Sequence, residues 1–175
     1  MPRYIRSFVP GGTFFFIVNL LERQRTLLTD RIAELRAAFT FVRNQRPFVT
    51  KAYVVLPDHL HCIWTLPADD ADFSSRWQAI KAHFARHMAK GERLSVRRRK
   101  KGERGIWQRR FWEHMIRDER DFERHVDYIH FNPVKHRHAN AVHEWPHSSF
   151  HAYVSRGVFP ADWAAGEDVQ NLDWG

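Results

Sequence analysis

Segments of strand-like and helix-like apolar spacing alternate along this 175-residue chain in an order that admits few architectures. After Gly11-Gly12, the run from Thr13 to Leu20 is aromatic and β-branched, the composition of a first strand. Between Thr29 and Phe41, Ile32, Leu35, Ala38 and Phe39 fall at helical spacing, and Pro47 closes that segment. Phe48 to Leu56 and His61 to Leu66 read as two strands joined around Pro57-Asp58. Asp72 with Ser74 and Ser75 caps a helix to about Lys90 that buries Trp77, Ile80, Phe84 and Met88. Ile106 to Ile116 supplies a fourth strand, and Asp118 caps a helix through Phe131. The order is βαββαβ plus a helix, which predicts an α+β fold of the ferredoxin-like, split βαβ type with an antiparallel sheet. A chain of this length, 43% hydrophobic and 14% aromatic, suffices for one domain over residues 1–175. Its core is expected at about 11–135, with an extension at about 136–175 that packs back on the core or covers a site.

Charge narrows the partner. Lys and Arg outnumber Asp and Glu by 28 to 20, a formal charge of +8, which favours a polyanion. Arg93, Arg97, Arg98, Arg99, Lys100, Lys101 and Arg104 crowd one stretch without apolar periodicity, expected as a mobile loop, and Arg109 and Arg110 follow. Cys62 is the lone cysteine, so the expected compartment is the reducing cytoplasm. The longest apolar run, Phe14 to Leu21, is too short to span a bilayer, and the N-terminus has Arg3 and Arg6 but no signal-peptide pattern. No membrane partner is expected.

Two short spacings carry the chemistry. In an extended strand, His59 and His61 project from one face while Leu60 points into the core, which sets two imidazoles side by side. A chain with 12 histidines yields about 0.8 such pairs by chance, so the pair alone is a weak signal. A second pair, His136 and His138, follows the helix-breaking Pro133 and has Arg137 between its histidines, a cation that opposes metal binding. On a helix, Tyr128 and Asn132 stack one turn apart, and Asp121, His125, Tyr128 and Asn132 share one stripe. Pro133 disfavours the α region for the residue before it, which predicts Asn132 in a frayed last turn.

Asp58-His59-Leu60-His61-Cys62-Ile63-Trp64, followed by the Tyr128 to His136 segment YIHFNPVKH, resembles the HUH single-tyrosine transposases, and within them the REP-associated tyrosine transposases. The resemblance covers roughly Thr13 to Tyr153. It implies a divalent cation, Mg²⁺ or Mn²⁺, held by His59, His61 and Asn132, with Tyr128 as the nucleophile that becomes linked to a DNA 5′ phosphate. Many transposon-borne relatives carry Gln where this chain has Asn132, and the Asn-Pro version resembles the chromosomal branch that acts on short palindromic repeats. The same helix that follows the fourth strand then carries the catalysis. Relatives occur as dimers or monomers, so monomer and homodimer both stand.

A phenol ordinarily holds its proton to about pH 10, so attack at neutral pH needs a base or a positive field; His125 and Asp58 are the nearby candidate proton acceptors. Arg97, Arg98, Arg99, Lys100, Lys101, Arg104, Arg109, Arg110 and Lys135 are the expected DNA contacts, with Trp107, Phe111 and Trp112 interleaved for base stacking. The expected activity is metal-dependent cleavage and joining of single-stranded, hairpin-forming repeat DNA. The alternative is a non-catalytic module that binds hairpin DNA or RNA and uses its histidines structurally.

Overall fold

The computed structural model describes residues 6–174, and Arg3 of the basic N-terminus lies outside them. Strands β1 (Thr13–Asn19), β2 (Val49–Val55), β3 (His59–Thr65) and β4 (Trp112–Met115) form one antiparallel sheet in the order β2-β3-β1-β4. Helices α1 (Leu27–Asp30) and α2 (Ile32–Gln45) link β1 to β2, and α3 (Phe73–Arg86) and α4 (Val96–Lys100) link β3 to β4. Helix α5 (Glu119–Lys135) follows β4, and α6 (Phe150–Ser155) and α7 (Glu167–Gln170) belong to the extension. This is the α+β, split βαβ arrangement that the alternation predicts.

Both faces of the two central strands are buried, because β1 and β3 are apolar at odd and even positions alike. Phe14, Phe16, Val18, Leu60, Cys62 and Trp64 meet α2 and α3, where Trp64 stacks on Trp77 at 4.3 Å and on Phe48 at 4.1 Å. Phe15, Ile17 and Ile63 face the other way, toward Val126, Tyr128 and Ile129 of α5. The alternation of strand side chains therefore delivers His59 and His61 to the α5 side.

Three local expectations are corrected. The fourth strand is shorter than Ile106 to Ile116, because β1 offers partners only from Phe14 to Ile17; Trp107 makes a single bridge to Leu20. The basic stretch is not a structureless loop: Ser95 accepts from the Arg98 N–H at 3.3 Å and caps α4. Asn132 does not fray. Helix α5 runs through Pro133, and its end is closed beyond the proline by the His136 and His138 N–H groups, which donate to Asn132 and Pro133 carbonyls at 3.0 and 2.8 Å.

The extension returns along β2. Trp145 donates to the Val55 carbonyl at 3.0 Å and Tyr153 to the Lys51 carbonyl at 2.8 Å, so the sheet edge is covered. On the neighbouring surface, half-buried Asp127 of α5 is pushed up to about 6 by burial and by Glu123 and Asp168. An acid raised in the folded state stabilises the fold at low pH and loses that contribution as pH climbs toward and past 6. Asp127→Asn is therefore expected to raise stability at pH 8 by about 1 kcal/mol, after discounting for solvent screening, with no gain at pH 4. Denaturant melts at both pH values check this, and an equal gain at both would refute the electrostatic account.

Candidate functional site

In register, His61 sits between Ile17 and Val54, and His59 lies opposite Asn19 at the end of β1. Their rings stand edge-on with centroids 5.0 Å apart. Asp58, the residue before them, orients the first: His59 Nδ1–H donates to Asp58 Oδ1 at 2.7 Å. Arg23 holds the other oxygen of that carboxylate at 2.5 Å and reaches Asn19 Oδ1 at 2.7 Å. Burial alone would raise the Asp58 carboxyl, but the hydrogen bonds from His59 and Arg23 outweigh it and hold the group well below the usual carboxylate range. Such a carboxylate is a weak proton acceptor and a good fixer of the imidazole tautomer, leaving His59 Nε2 free as a lone-pair donor.

Helix α5 brings the second half of the site. Its N-cap is Asp118, which accepts the Asp121 N–H at 2.8 Å. Tyr128 is fully buried, its ring edge-on to His61 at 5.5 Å, and Asn132 lies one turn on, also fully buried. Burial pulls the His61 imidazole well below its ordinary value, so it is neutral at pH 7. His59 Nε2, both His61 nitrogens and both Asn132 amide atoms are buried without a hydrogen-bond partner among the described residues. Leaving such polar atoms unsatisfied costs about 1–3 kcal/mol each, a cost a cation would relieve at the lone-pair atoms, His59 Nε2, one His61 nitrogen and Asn132 Oδ1.

Tyr128 has a cation above it and the end of the chain beside it. Lys135 Nζ lies 3.5 Å from the Tyr128 hydroxyl and 4.9 Å from its ring centroid. The same ammonium donates to the Leu172 carbonyl and pairs with Asp173 at 3.3 Å. The Trp174 backbone N–H donates to the Tyr128 hydroxyl at 3.3 Å, and the Trp174 ring packs 4.7 Å from Tyr128 and 4.1 Å from His125. The end of the extension thus lies over the tyrosine.

His125 donates from Nδ1 to the Asp121 carbonyl at 2.7 Å, and burial lowers it to about 4, so it is neutral at pH 7. His114, Asp121 and His125 place ligand-type atoms within 4.8 Å of one another. Asp121 is already satisfied there, by His114 Nε2 at 2.8 Å and the Arg117 N–H at 3.0 Å. The three form a closed hydrogen-bonded network beneath the stacked Trp174. His130, which flanks Tyr128 in sequence, is fully buried and bonded to Ser149 at 2.8 Å, facing the extension.

The expected DNA contacts divide. Arg97, Arg99, Lys100, Lys101 and Arg110 are exposed. Arg98 donates to the carbonyls of Arg104 and Trp107 at 3.1 and 3.4 Å, and Arg104 caps the end of α3 through the Ala85 carbonyl at 2.7 Å and also binds Glu92. Arg109 pairs with Glu103 at 2.8 Å. Arg6, Lys81, Arg86, Arg98 and Arg109 line one open groove, whose rim joins the site edge where the Gln108 N–H donates to Asn19 at 3.0 Å. Lys81, missed in the sequence, is lowered to about 8 by burial and by Arg6 and Arg98. Trp107 and Phe111 pack in the core cluster; Trp112 is exposed and lies on the site face beside Phe15 and His114. Arg23 gave no local signal; His136, singled out only as half of a second histidine pair, has its ring 5.1 Å from His59, and Trp174 of the extension reaches the site.

Comparison with known proteins follows this geometry. No family model matches the chain. It is 49% identical over 175 residues, all of this chain and 97% of the relative, to the REP-associated tyrosine transposase of Escherichia coli K12. It is 43% identical over 171 residues, 97% of each chain, to a Haemophilus influenzae protein provisionally assigned to the same family. A solved REP-associated tyrosine transposase bound to a REP hairpin superposes with a TM-score of 0.82 at 48% identity, covering 95% of this chain and 93% of that one.

Proposed function

The chain belongs to the REP-associated tyrosine transposases, and on that premise we propose that it nicks and rejoins single-stranded, hairpin-forming repeat DNA through a 5′-phosphotyrosine at Tyr128. The observation that carries this reading is the buried juxtaposition of Tyr128 with His61 and with polar atoms of His59, His61 and Asn132 that lack partners among the described residues. Neutral imidazole nitrogens with an amide oxygen are a fitting donor set for Mg²⁺ or Mn²⁺ that keeps open positions. When bound, such an ion polarises the scissile phosphate and carries the charge of a non-bridging oxygen.

The protein's own groups do the rest. The Tyr128 oxygen attacks phosphorus, the bond from phosphorus to the 3′ oxygen breaks, and the departing strand leaves as a 3′-hydroxyl. Lys135, at 3.5 Å from the phenol, stabilises the oxygen as its proton leaves. His125, neutral and one turn earlier on the same helix, is the candidate acceptor, a weak one because burial lowers it to about 4, whereas Asp58 serves to orient His59. The ester conserves the phosphodiester bond's energy, so another 3′-hydroxyl reverses the step and joins strands.

The solved relative holds a REP hairpin. In this chain the exposed cations of α4, with Arg110 and the groove around Lys81, would follow the backbone, and Trp112 offers a ring for an unpaired base beside the site. No helix among the described residues is long and apolar enough to cross a membrane, and the free thiol of Cys62 fits a cytoplasmic setting. The test uses labelled hairpin oligonucleotides from repeats beside the gene, with Mn²⁺ or with chelator, on denaturing gels. A nick with a covalent protein adduct, present with the ion and absent with chelator, is expected. Tight hairpin binding without any nick would instead establish the binding-module reading.

A further inference from the structure

Helix α3 presents one lysine, partly buried Lys81, to the open groove on its side of the sheet. Its Nζ donates to the Gln108 carbonyl at 2.9 Å and lies 5.5 Å from the centre of the Phe111 ring, which the Arg6 guanidinium covers at 4.3 Å. No carboxylate pairs with Lys81 among the described residues. Arg6 and Arg98 both lie near enough to act on its charge. The other charged groups of the groove are engaged elsewhere: Arg109 with Glu103 at 2.8 Å, Arg104 with Glu92, and Arg86 with the Ala82 carbonyl at 3.4 Å. Arg6 itself reaches the Ser74 hydroxyl at 2.9 Å and Glu113 at 3.8 Å. An amine beside two guanidiniums, with no carboxylate of its own, is relieved by an anion from solution or by losing its proton.

We propose that Lys81 is an acylation site, modified by acyl phosphates that the groove's positive field concentrates, and that acylation weakens the groove's hold on hairpin DNA. The second half rests on the DNA path proposed above; the first half does not. In the step, the neutral Lys81 amine attacks the acyl carbon, a carbon–nitrogen bond forms, the bond from that carbon to the phosphate oxygen breaks, and the amine proton leaves with the phosphate as hydrogen phosphate. Burial, and then Arg6 and Arg98, lower the ammonium to about 8. At pH 8 about half of such an amine is neutral, against less than about 1% for an exposed lysine. Nucleophilicity falls with basicity, which takes back about tenfold and leaves an advantage on the order of tenfold. The guanidiniums stay charged throughout and offer the phosphate its counter-charge. The product is a neutral amide, so the groove loses one cation.

The experiment treats the full chain with acetyl phosphate at pH 8 and follows each lysine by mass spectrometry, with exposed Lys51, Lys90, Lys100 and Lys101 as references. Lys81 is expected to be acetylated about tenfold faster than these, and inorganic phosphate or Arg6→Gln to slow it severalfold. A neutral donor, N-acetoxysuccinimide, forms the second arm. Preference for Lys81 with that reagent but not with acetyl phosphate would mean that the groove recruits no phosphate, and no preference with either would mean that the amine is not activated; both results overturn the site. Hairpin affinity of the acetylated chain, read against Lys81→Arg given the same treatment, is expected to fall about threefold or more, with the salt dependence reduced by about one counterion. Acetylation of Lys81 with unchanged hairpin affinity would overturn the regulatory half alone. A chain that binds no hairpin before treatment would overturn the function proposed above, while the acetylation rates would still decide the site.

Discussion

Tyr128→Phe is expected to abolish the covalent protein–DNA adduct, a loss of at least about 10⁴-fold in nicking, while hairpin affinity stays within about twofold. The substitution removes one oxygen and leaves the ring that packs against Phe15, His61 and Trp174. The lost contacts are the long Lys135 bond and the Trp174 N–H bond at 3.3 Å, each worth about 1 kcal/mol or less, so the fold should survive. Denaturing gels read the nick and the adduct, and native gels read hairpin affinity. An adduct that persists in the phenylalanine variant would place the nucleophile elsewhere and remove the main support for the proposed chemistry.

Removing residues 171–175 is expected to accelerate adduct formation on the order of tenfold, and Trp174→Ala, which removes only the ring stack, by a smaller factor. Tyr128 is fully buried, and a DNA phosphate reaches it only when the segment over it moves. That segment holds the site by three kinds of contact: the Trp174 N–H on the phenol, its ring against His125, and the Leu172 carbonyl and Asp173 on Lys135. An aromatic stack and exposed polar contacts together contribute about 1.5–2 kcal/mol, and every 1.4 kcal/mol shifts the open fraction tenfold. Release also frees Lys135 for the developing negative charge. Single-turnover rates of truncated and full chains on one oligonucleotide decide the matter; equal rates would mean that the end of the chain does not limit access.

Much of the site could be read from local spacing. Leu60 does enter the α3-side core while His59 and His61 face α5, since strand side chains alternate whatever lies around them. Tyr128 and Asn132 share a helix face for the same kind of reason, and Asp118 does begin that helix. The inward turn of Arg98 and Arg104 was not legible. Their bonds go to backbone carbonyls at the end of α3 and in the loop before β4, and any residue type presents those acceptors. The helix through Pro133 also escaped local reasoning: the bias of the residue before proline gave way to the burial of Asn132 and Pro133 and to the closing turn beyond them.

The sequence by itself determined the order of elements, the faces on which the two histidines and the tyrosine lie, and the family to which the chain belongs. These follow from periods of two and 3.6 residues, set by bonds between near neighbours. Tertiary structure alone decided that His136 returns to His59, that Arg23 anchors Asp58, and that Trp174 lies over a tyrosine 46 residues earlier. Such contacts depend on how helices and loops dock on the sheet, and no local period encodes which distant side chain will fill the space they leave.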